Sequence, residues 1–370
     1  MAVEQQTTPQ AISPPARRSR AETLAMVRKV WPWVFLVFMI TLFTIAARVM
    51  NDTNFLSQRA LQGILLYTTQ ILLLGLGETM IIIAAGIDLS VGYILGLSAV
   101  VAAEIMKYMY AQGYSPWLVV PVGMLGGILV CIIPGYINGW LVAKIKVPPF
   151  ISTLGMGYAV FGAALLISGG YPVAQQPPYL GQIGNGSIFY LWLSNGISFF
   201  KAPAEAQGPE LQNVIPLLPN VVFITILVTI VCWYILSKTQ FGQHLYAIGG
   251  NFQAAVRAGI RVQRTIILVY VMGAVLAGIA GALWAARFTS GAADAGEAGQ
   301  LMAIAAVVIG GASLFGGEGN IIGTVVGALL IATIQFGLVV LGMQPFWQFL
   351  AVGVVVIIAV IVDQFGRTLE

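Results

Sequence analysis

Apolar stretches long enough to cross hydrocarbon recur along almost the whole chain, and this constrains it more than any other feature. About 20 residues at 1.5 Å of rise cover the roughly 30 Å of a bilayer core. Such stretches predict helices near residues 31–48, 61–85, 91–110, 117–143, 149–168, 216–236, 265–286, 299–312, 320–341 and 345–363. Charged residues make up only 8% of the 370 and hydrophobic ones 59%, against the roughly 25% charged of a soluble domain. Lipid is therefore the main solvent, and the expected fold is all-α: a polytopic membrane protein of about ten transmembrane helices forming one domain over 31–366. The ends, 1–30 and 367–370, are read as tails.

The basic residues orient this domain. Lys and Arg are retained in cytoplasmic loops. With an inside amino terminus, Arg17, Arg18, Arg20, Arg28, Lys29, Lys144, Lys146, Lys238, Arg257, Arg261, Arg264 and Arg367 fall inside, and Arg48, Arg59, Lys107, Lys201 and Arg287 fall outside. Twelve against five supports ten crossings with both termini cytoplasmic. The net charge of +4 is spread between apolar runs and does not form a nucleic-acid-binding surface. Two connections are long. The stretch from about 170 to 215 is expected outside, with Ile188 to Phe200 apolar enough for a short interfacial helix. The stretch from about 238 to 264 is expected inside and holds His244, the only histidine.

Ile82 to Gly92 can be laid over Val307 to Gly317, an offset of 225 residues. The copies place Gly86 over Gly311, Asp88 over Ser313, and Gly92 over Gly317, with Ser90 and Gly316 in the same loops. Broken, glycine-rich segments at matching positions mark two-half transporters, because unwound backbone inside a membrane is tolerated only against protein or a water-filled path. Gly319, Gly323 and Gly327, and again Gly273, Ala277 and Gly281, have the small-residue spacing that lets helix backbones approach.

No phosphate loop, dinucleotide fingerprint or metal-ligand set occurs, so energy from ATP would have to come from another subunit. Cys131 and Cys232 both lie in apolar segments and imply no disulfide. Polar residues at membrane depth are costly unless paired or hydrated. Glu78, Asn138, Arg287, Gln300 and Gln335 are the candidates for a solute path, with hydrogen bonding inside the bundle as the other reading. Asp88 and Ser90 are expected to cap the helix that follows them.

Several runs resemble the permease subunits of ribose-, xylose- and arabinose-type ATP-binding-cassette importers, within the wider group that includes branched-chain amino-acid permeases. They are Gly86-Ile-Asp-Leu-Ser-Val-Gly92, Asn138-Gly139 followed by Val147-Pro-Pro-Phe-Ile-Ser-Thr-Leu-Gly155, Tyr246-Ala-Ile-Gly-Gly-Asn251, and Ala303 to Gly317. The resemblance implies a bacterial inner-membrane protein that pairs with a second permease subunit, a cytoplasmic ATPase carrying ATP and Mg, and an external solute-binding protein. This chain would hold no cofactor of its own. On that architecture Gly250, Asn251, Ala254, Ala255, Arg257, Gly259 and Arg261 form a coupling segment, with Ala255, Ala258 and Gly259 on one helical face. Two positions depart from the sugar-permease pattern, where Gln300-Leu-Met-Ala303 replaces Glu-Leu-Asp-Ala and Gln335-Phe336 replaces a pair of asparagines. A polyol, deoxysugar, nucleoside or less polar solute stays open, as does an ATP-independent transporter or channel.

Overall fold

The computed structural model describes residues 20–192, 196–200, 214–344, 346–354 and 357. The expected tail up to residue 19, the centre of the long outer connection and the chain beyond 357 lie outside the described residues. Helix α1 spans Arg20–Asn51, α2 Gln58–Ile83 and α3 Val91–Ala111. A bent run follows: α4 (Pro116–Val130), α5 (Ile132–Trp140) and a π-helical turn, Leu141–Ile145. Helices α6 (Pro149–Ser168), α7 (Pro178–Asn185) and α8 (Asn220–Lys238) come next, the last two separated by a small sheet. The chain continues through α9 (Gln240–Gly250), α10 (Phe252–Arg257), α11 (Val262–Phe288), α12 (Glu297–Ile309) and α13 (Ile321–Val340).

Eight described helices have the length and apolarity to cross a membrane. The eighth expected helix, 299–312, is the 13-residue α12, which is too short to do so alone. The tenth is described only over 346–354, where the backbone is helical. Local chemistry sets the boundaries. Pro149 opens α6 where its missing N–H costs nothing, and Gly169, at φ 67°, ends it. Pro134 cannot donate to the Val130 carbonyl, so the 117–143 stretch breaks between α4 and α5. Helix α1 starts at Arg20, well before the expected position, although its membrane-length apolar part begins at Val30.

Helices α2 and α11 form the centre. Residues 71–83 of α2 are all buried, as a helix apolar on every side must be. Gly77 of α2 meets Gly273 of α11 backbone to backbone, and Gly281 lies on the Leu95 carbonyl of α3. Glycine is needed at Gly77 and Gly281 because a side chain there would strike main-chain atoms, whereas one at Gly273 would meet the Ile81 side chain. The bundle has two ends. One carries the sheet, and is here the sheet end; the other carries α9 and α10, and is here the α9 end.

The Ile188 to Phe200 stretch is not a helix. Strand β1 (Phe189–Trp192) pairs antiparallel with β2 (Gly196–Phe199) on one side, Phe189 opposite Phe199, and with β3 (Val214–Pro216) on the other. Aromatic and β-branched residues suit a pleated surface, and Asn195-Gly196 between two apolar stretches is a hairpin signal that hydropathy alone overlooks. The sheet is tied to the bundle where Gln58 and Gln62 of α2 both donate to the Pro216 carbonyl.

The two repeat loops lie at the same end. Helix α2 closes with Ala85 N–H donating to the Ile82 carbonyl (2.8 Å) and Gly86 N–H to that of Ile81 (2.9 Å). Helix α12 closes in the same way, Gly311 to Val308 (2.9 Å) and Ala312 to Val307 (3.1 Å). This is the double closure that turns a helix end through a left-handed residue, here Ala85 (φ 62°) and Gly311 (φ 93°). The structural equivalence is thus Ala85 with Gly311, one residue off the alignment of Gly86 with Gly311.

Candidate functional site

Between α11 and α12 the chain does not stay at the sheet end. Gly291 is anchored there by paired backbone hydrogen bonds with Val173 (2.7 and 3.1 Å). From it, residues 291–296 run antiparallel to α3, Gly291 against Ala99, Ala293 against Gly96 and Gly296 against Gly92. The Gln70 amide, near the midpoint of α2, donates to the Ala295 carbonyl at 3.0 Å. An unwound segment therefore descends into the bundle and delivers the amino terminus of α12 to mid-depth. Small residues permit this: Gly291-Ala-Ala-Asp-Ala-Gly296 exposes its backbone to close packing, and Gln70 supplies a polar partner.

Beside that segment is a cavity of about 370 Å³, within the range of small-molecule sites. Its polar and aromatic walls include Tyr67, Gln70, Trp284, Arg287, Asp294 and Gln335. Arg287 uses one guanidinium N–H on the Leu66 carbonyl (3.2 Å) and stands 5.4 Å from the centre of the Phe288 ring. Among the described residues it has no carboxylate within ion-pair distance. Gln335 donates to the Met302 sulfur at 2.7 Å. Planar amides, a carboxylate and a guanidinium offer donors and acceptors in fixed planes, and Trp284 adds a large ring face, paired with Phe288 at 4.6 Å.

The five expected path residues do not come together. Arg287 and Gln335 line this cavity. Gln300 sits in the first turn of α12 beside Gly92, its buried Oε1 without a hydrogen-bond partner. Glu78 and Asn138 are fully buried elsewhere. Asn138 donates to Ser90 Oγ (2.9 Å) and accepts from Ser152 (3.3 Å), so its side chain is held inside the bundle. Gln70, Trp284 and Asp294 were missed. The 13- to 14-residue length of the 299–312 stretch was the available signal, because an apolar stretch that short reads as re-entrant more readily than as spanning.

At the α9 end the two repeat loops meet the segment expected to couple to an ATPase. Gly317 N–H donates to the Ile83 carbonyl (2.9 Å), and Gly249 is so close to that carbonyl that a side chain would overlap it. Gly316 (φ 88°) rests on Ala85, and Ser313 N–H closes the second loop on the Glu318 carbonyl (3.1 Å). Asn251 ends α9 and caps α10, its Oδ1 accepting from Ala254 N–H at 2.9 Å. The expected single face of Ala255, Ala258 and Gly259 is not formed. Helix α10 stops at Arg257 because Gly259 turns the chain at φ 77°; Ala255 packs inward with Ile248 and Val262, while Ala258 and Gly259 are exposed. Gly250, Ala254, Arg257 and Arg261 are exposed as well. Ser90 also differs from expectation. It occupies the cap position of α3 but accepts no helix N–H; instead its own N–H (2.8 Å) and hydroxyl both donate to Asp88 Oδ1.

A many-spanned helical bundle that holds an unwound polar segment against an internal cavity has the build of a membrane transport protein. The family described as branched-chain amino acid transport system / permease component matches residues 60–360, and the chain belongs to it. It is 35% identical over 336 residues to a fructose import permease protein of Rhizobium meliloti, covering 90% of this chain and 85% of that one. A ribose import permease protein of Bacillus subtilis is 35% identical over 85% of each chain. A xylose transport system permease protein of Haemophilus influenzae is 34% identical over 86% of this chain and 92% of its own. No solved structure matches.

Proposed function

We propose that this chain is the membrane-spanning permease subunit of an ATP-driven importer for a sugar or sugar-like solute, working with a second permease subunit, an ATP-binding-cassette ATPase and an external solute-binding protein. The single observation that carries the reading is the descent of residues 291–296 to mid-depth, which sets the start of α12 beside a cavity bearing Gln70, Arg287, Asp294 and Gln335. A hydroxyl-rich solute leaving water needs replacement hydrogen bonds, each unmet one costing about 1–3 kcal/mol. Side-chain amides, a carboxylate and a guanidinium facing a cavity supply them where the membrane otherwise cannot. The relatives' sugar import names point to the same class of solute.

The α9 end is the cytoplasmic one in this reading. It gathers Lys144, Lys146, Lys238, Arg257, Arg261 and Arg264, the pattern expected of inside loops. Exposed Phe252, Val256 and Arg257 on α10 then form the face that meets the ATPase, and ATP with Mg belongs to that partner.

Purification from native membranes in mild detergent is expected to bring down an ATPase whose hydrolysis responds to solute and binding protein. Solute accumulation by this chain alone in liposomes would overturn the assignment. Within a working importer, Asp294→Asn and Gln335→Ala are expected to change the order of preference among sugars and polyols with the thermal midpoint nearly unchanged. Equal loss for every solute together with lost stability would place those residues in the packing instead.

A further inference from the structure

Three buried oxygen atoms without hydrogen-bond partners converge where α2, the loop before α3, and α11 meet: Glu78 Oε1, Asp88 Oδ2 and Tyr270 Oη. Glu78 and Asp88 are fully buried, and Tyr270 is 1% exposed. The backbone N–H of Asp88 reaches Glu78 Oε2 at 3.5 Å, and the two carboxyl groups are within electrostatic reach of one another. The Tyr270 hydroxyl lies within electrostatic reach of both, and it abuts Gly86, where any side chain would press on it. Uncharged Ser90, Asn138 and Ser152 continue the polar cluster. Among the described residues neither Glu78 nor Asp88 has a basic group within ion-pair distance.

The two carboxylates are not equally provided for. Asp88 Oδ1 accepts two hydrogen bonds from Ser90 and stands at the amino terminus of α3, where backbone donors and the helix dipole favour negative charge. Glu78 has a single contact, at the outer limit of a hydrogen bond. An isolated charge is not stable in a dry interior, so Glu78 either carries a proton or sits beside a cation. Hard oxygen donors with no nitrogen or sulfur among them suit an alkali or alkaline-earth ion. With Asp88 already provided for, a single positive charge balances the site, which favours a monovalent ion, and Mg²⁺ in addition demands near-ideal octahedral geometry and gives up its water reluctantly.

We propose that Glu78 Oε1, Asp88 Oδ2 and Tyr270 Oη form a binding site for one monovalent metal cation, Na⁺ or K⁺, that locks the turn after α2 onto α11. The site lies next to an opening at the α9 end. Ile81, Gly86 and Tyr270 are part of the wall of a cavity of about 870 Å³ at the α9 end, lined also by Val142, Lys146 and Phe252.

The test is the thermal midpoint of the full-length permease in mild detergent, titrated with NaCl, KCl or choline chloride at constant ionic strength and repeated at several pH values. A saturable rise of roughly 2–5 °C with Na⁺ or K⁺ but not choline is expected, the size given by about tenfold excess over the dissociation constant. Glu78→Gln, which keeps the shape and removes the charge, is expected to abolish the response while retaining the midpoint seen in choline. Tyr270→Phe, which removes only the orphan oxygen, is expected to move the titration several-fold towards higher cation. No difference between the salts overturns the site, and so does a midpoint that follows pH alone and equally in choline, which would assign the missing charge to a proton. An unchanged titration in Tyr270→Phe overturns the three-oxygen arrangement.

Discussion

The turns that close α2 and α12 begin alike and end differently. Both use the same pair of backbone hydrogen bonds through one left-handed residue. After Ala85 the chain folds straight back into the bundle and brings Asp88 beside Glu78 within a few residues. After Gly311 it stays at the surface for a longer loop, through Gly316 and Gly317, before Asn320 caps α13 by accepting from Gly323 N–H at 2.7 Å. The same closure therefore serves the interior in one half of the molecule and the surface at the α9 end in the other. The residues after the turn, and not the turn itself, decide its use.

The comparison breaks most visibly where the two turns are held together. Gly249→Val would drive a side chain into the Ile83 carbonyl, whereas Gly250→Val meets open space. The first is expected to cost about 3 kcal/mol or more, as overpacking against immovable backbone does, and to abolish the monodisperse peak in size-exclusion chromatography. The second should leave that peak intact. Equal behaviour of the neighbours would mean that α9 does not seat on the α2 turn.

Smaller and opposite effects are expected at the two left-handed residues. A residue with a Cβ costs roughly 1–2 kcal/mol there. Gly311→Ala has free space around it and is expected to lower stability by about 1 kcal/mol. Ala85→Gly relieves the same strain and should raise it by roughly 0.5–1 kcal/mol. Thermal midpoints measured side by side check the signs; two losses would show that the closures are not equivalent.

The smallest energetic effect belongs to the experiment that assigns the ends to sides of the membrane. Tyr171→Cys at the sheet end and Gln253→Cys at the α9 end both replace exposed residues. They are expected to leave folding untouched and to react with an impermeant thiol reagent from opposite sides. Cys131 and Cys232 can remain, because both are buried and their thiols are unavailable.

The sequence disclosed the spanning helices well, and the reason is length: α6 and α3 carry long, mainly apolar stretches between Pro or Gly punctuation, and both begin where hydropathy and turn residues place them. It disclosed the sheet poorly, because Phe189 to Phe199 is as apolar as a helix and only period and the Asn-Gly pair distinguish the two. The cavity was half legible. Arg287 and Gln335 stand out as polar residues in apolar helices, whereas Gln70 and Asp294 gain meaning only once residues 291–296 are known to descend. That descent depends on backbone packing against Gly92 and Gly96 of α3, a long-range fit that no local pattern records.

The tie between Pro216 and the start of α2 has a mechanical consequence. A helix is stiff along its axis, and α2 has 26 residues, about 39 Å from end to end. Its first turns hold the sheet through Gln58 and Gln62, and its last carbonyls hold Gly317 and seat Gly249. It is a strut with a fitting at each face of the membrane. A load applied to the sheet along that axis is borne at α9 without any intermediate joint, and a push from α9 is felt at the sheet.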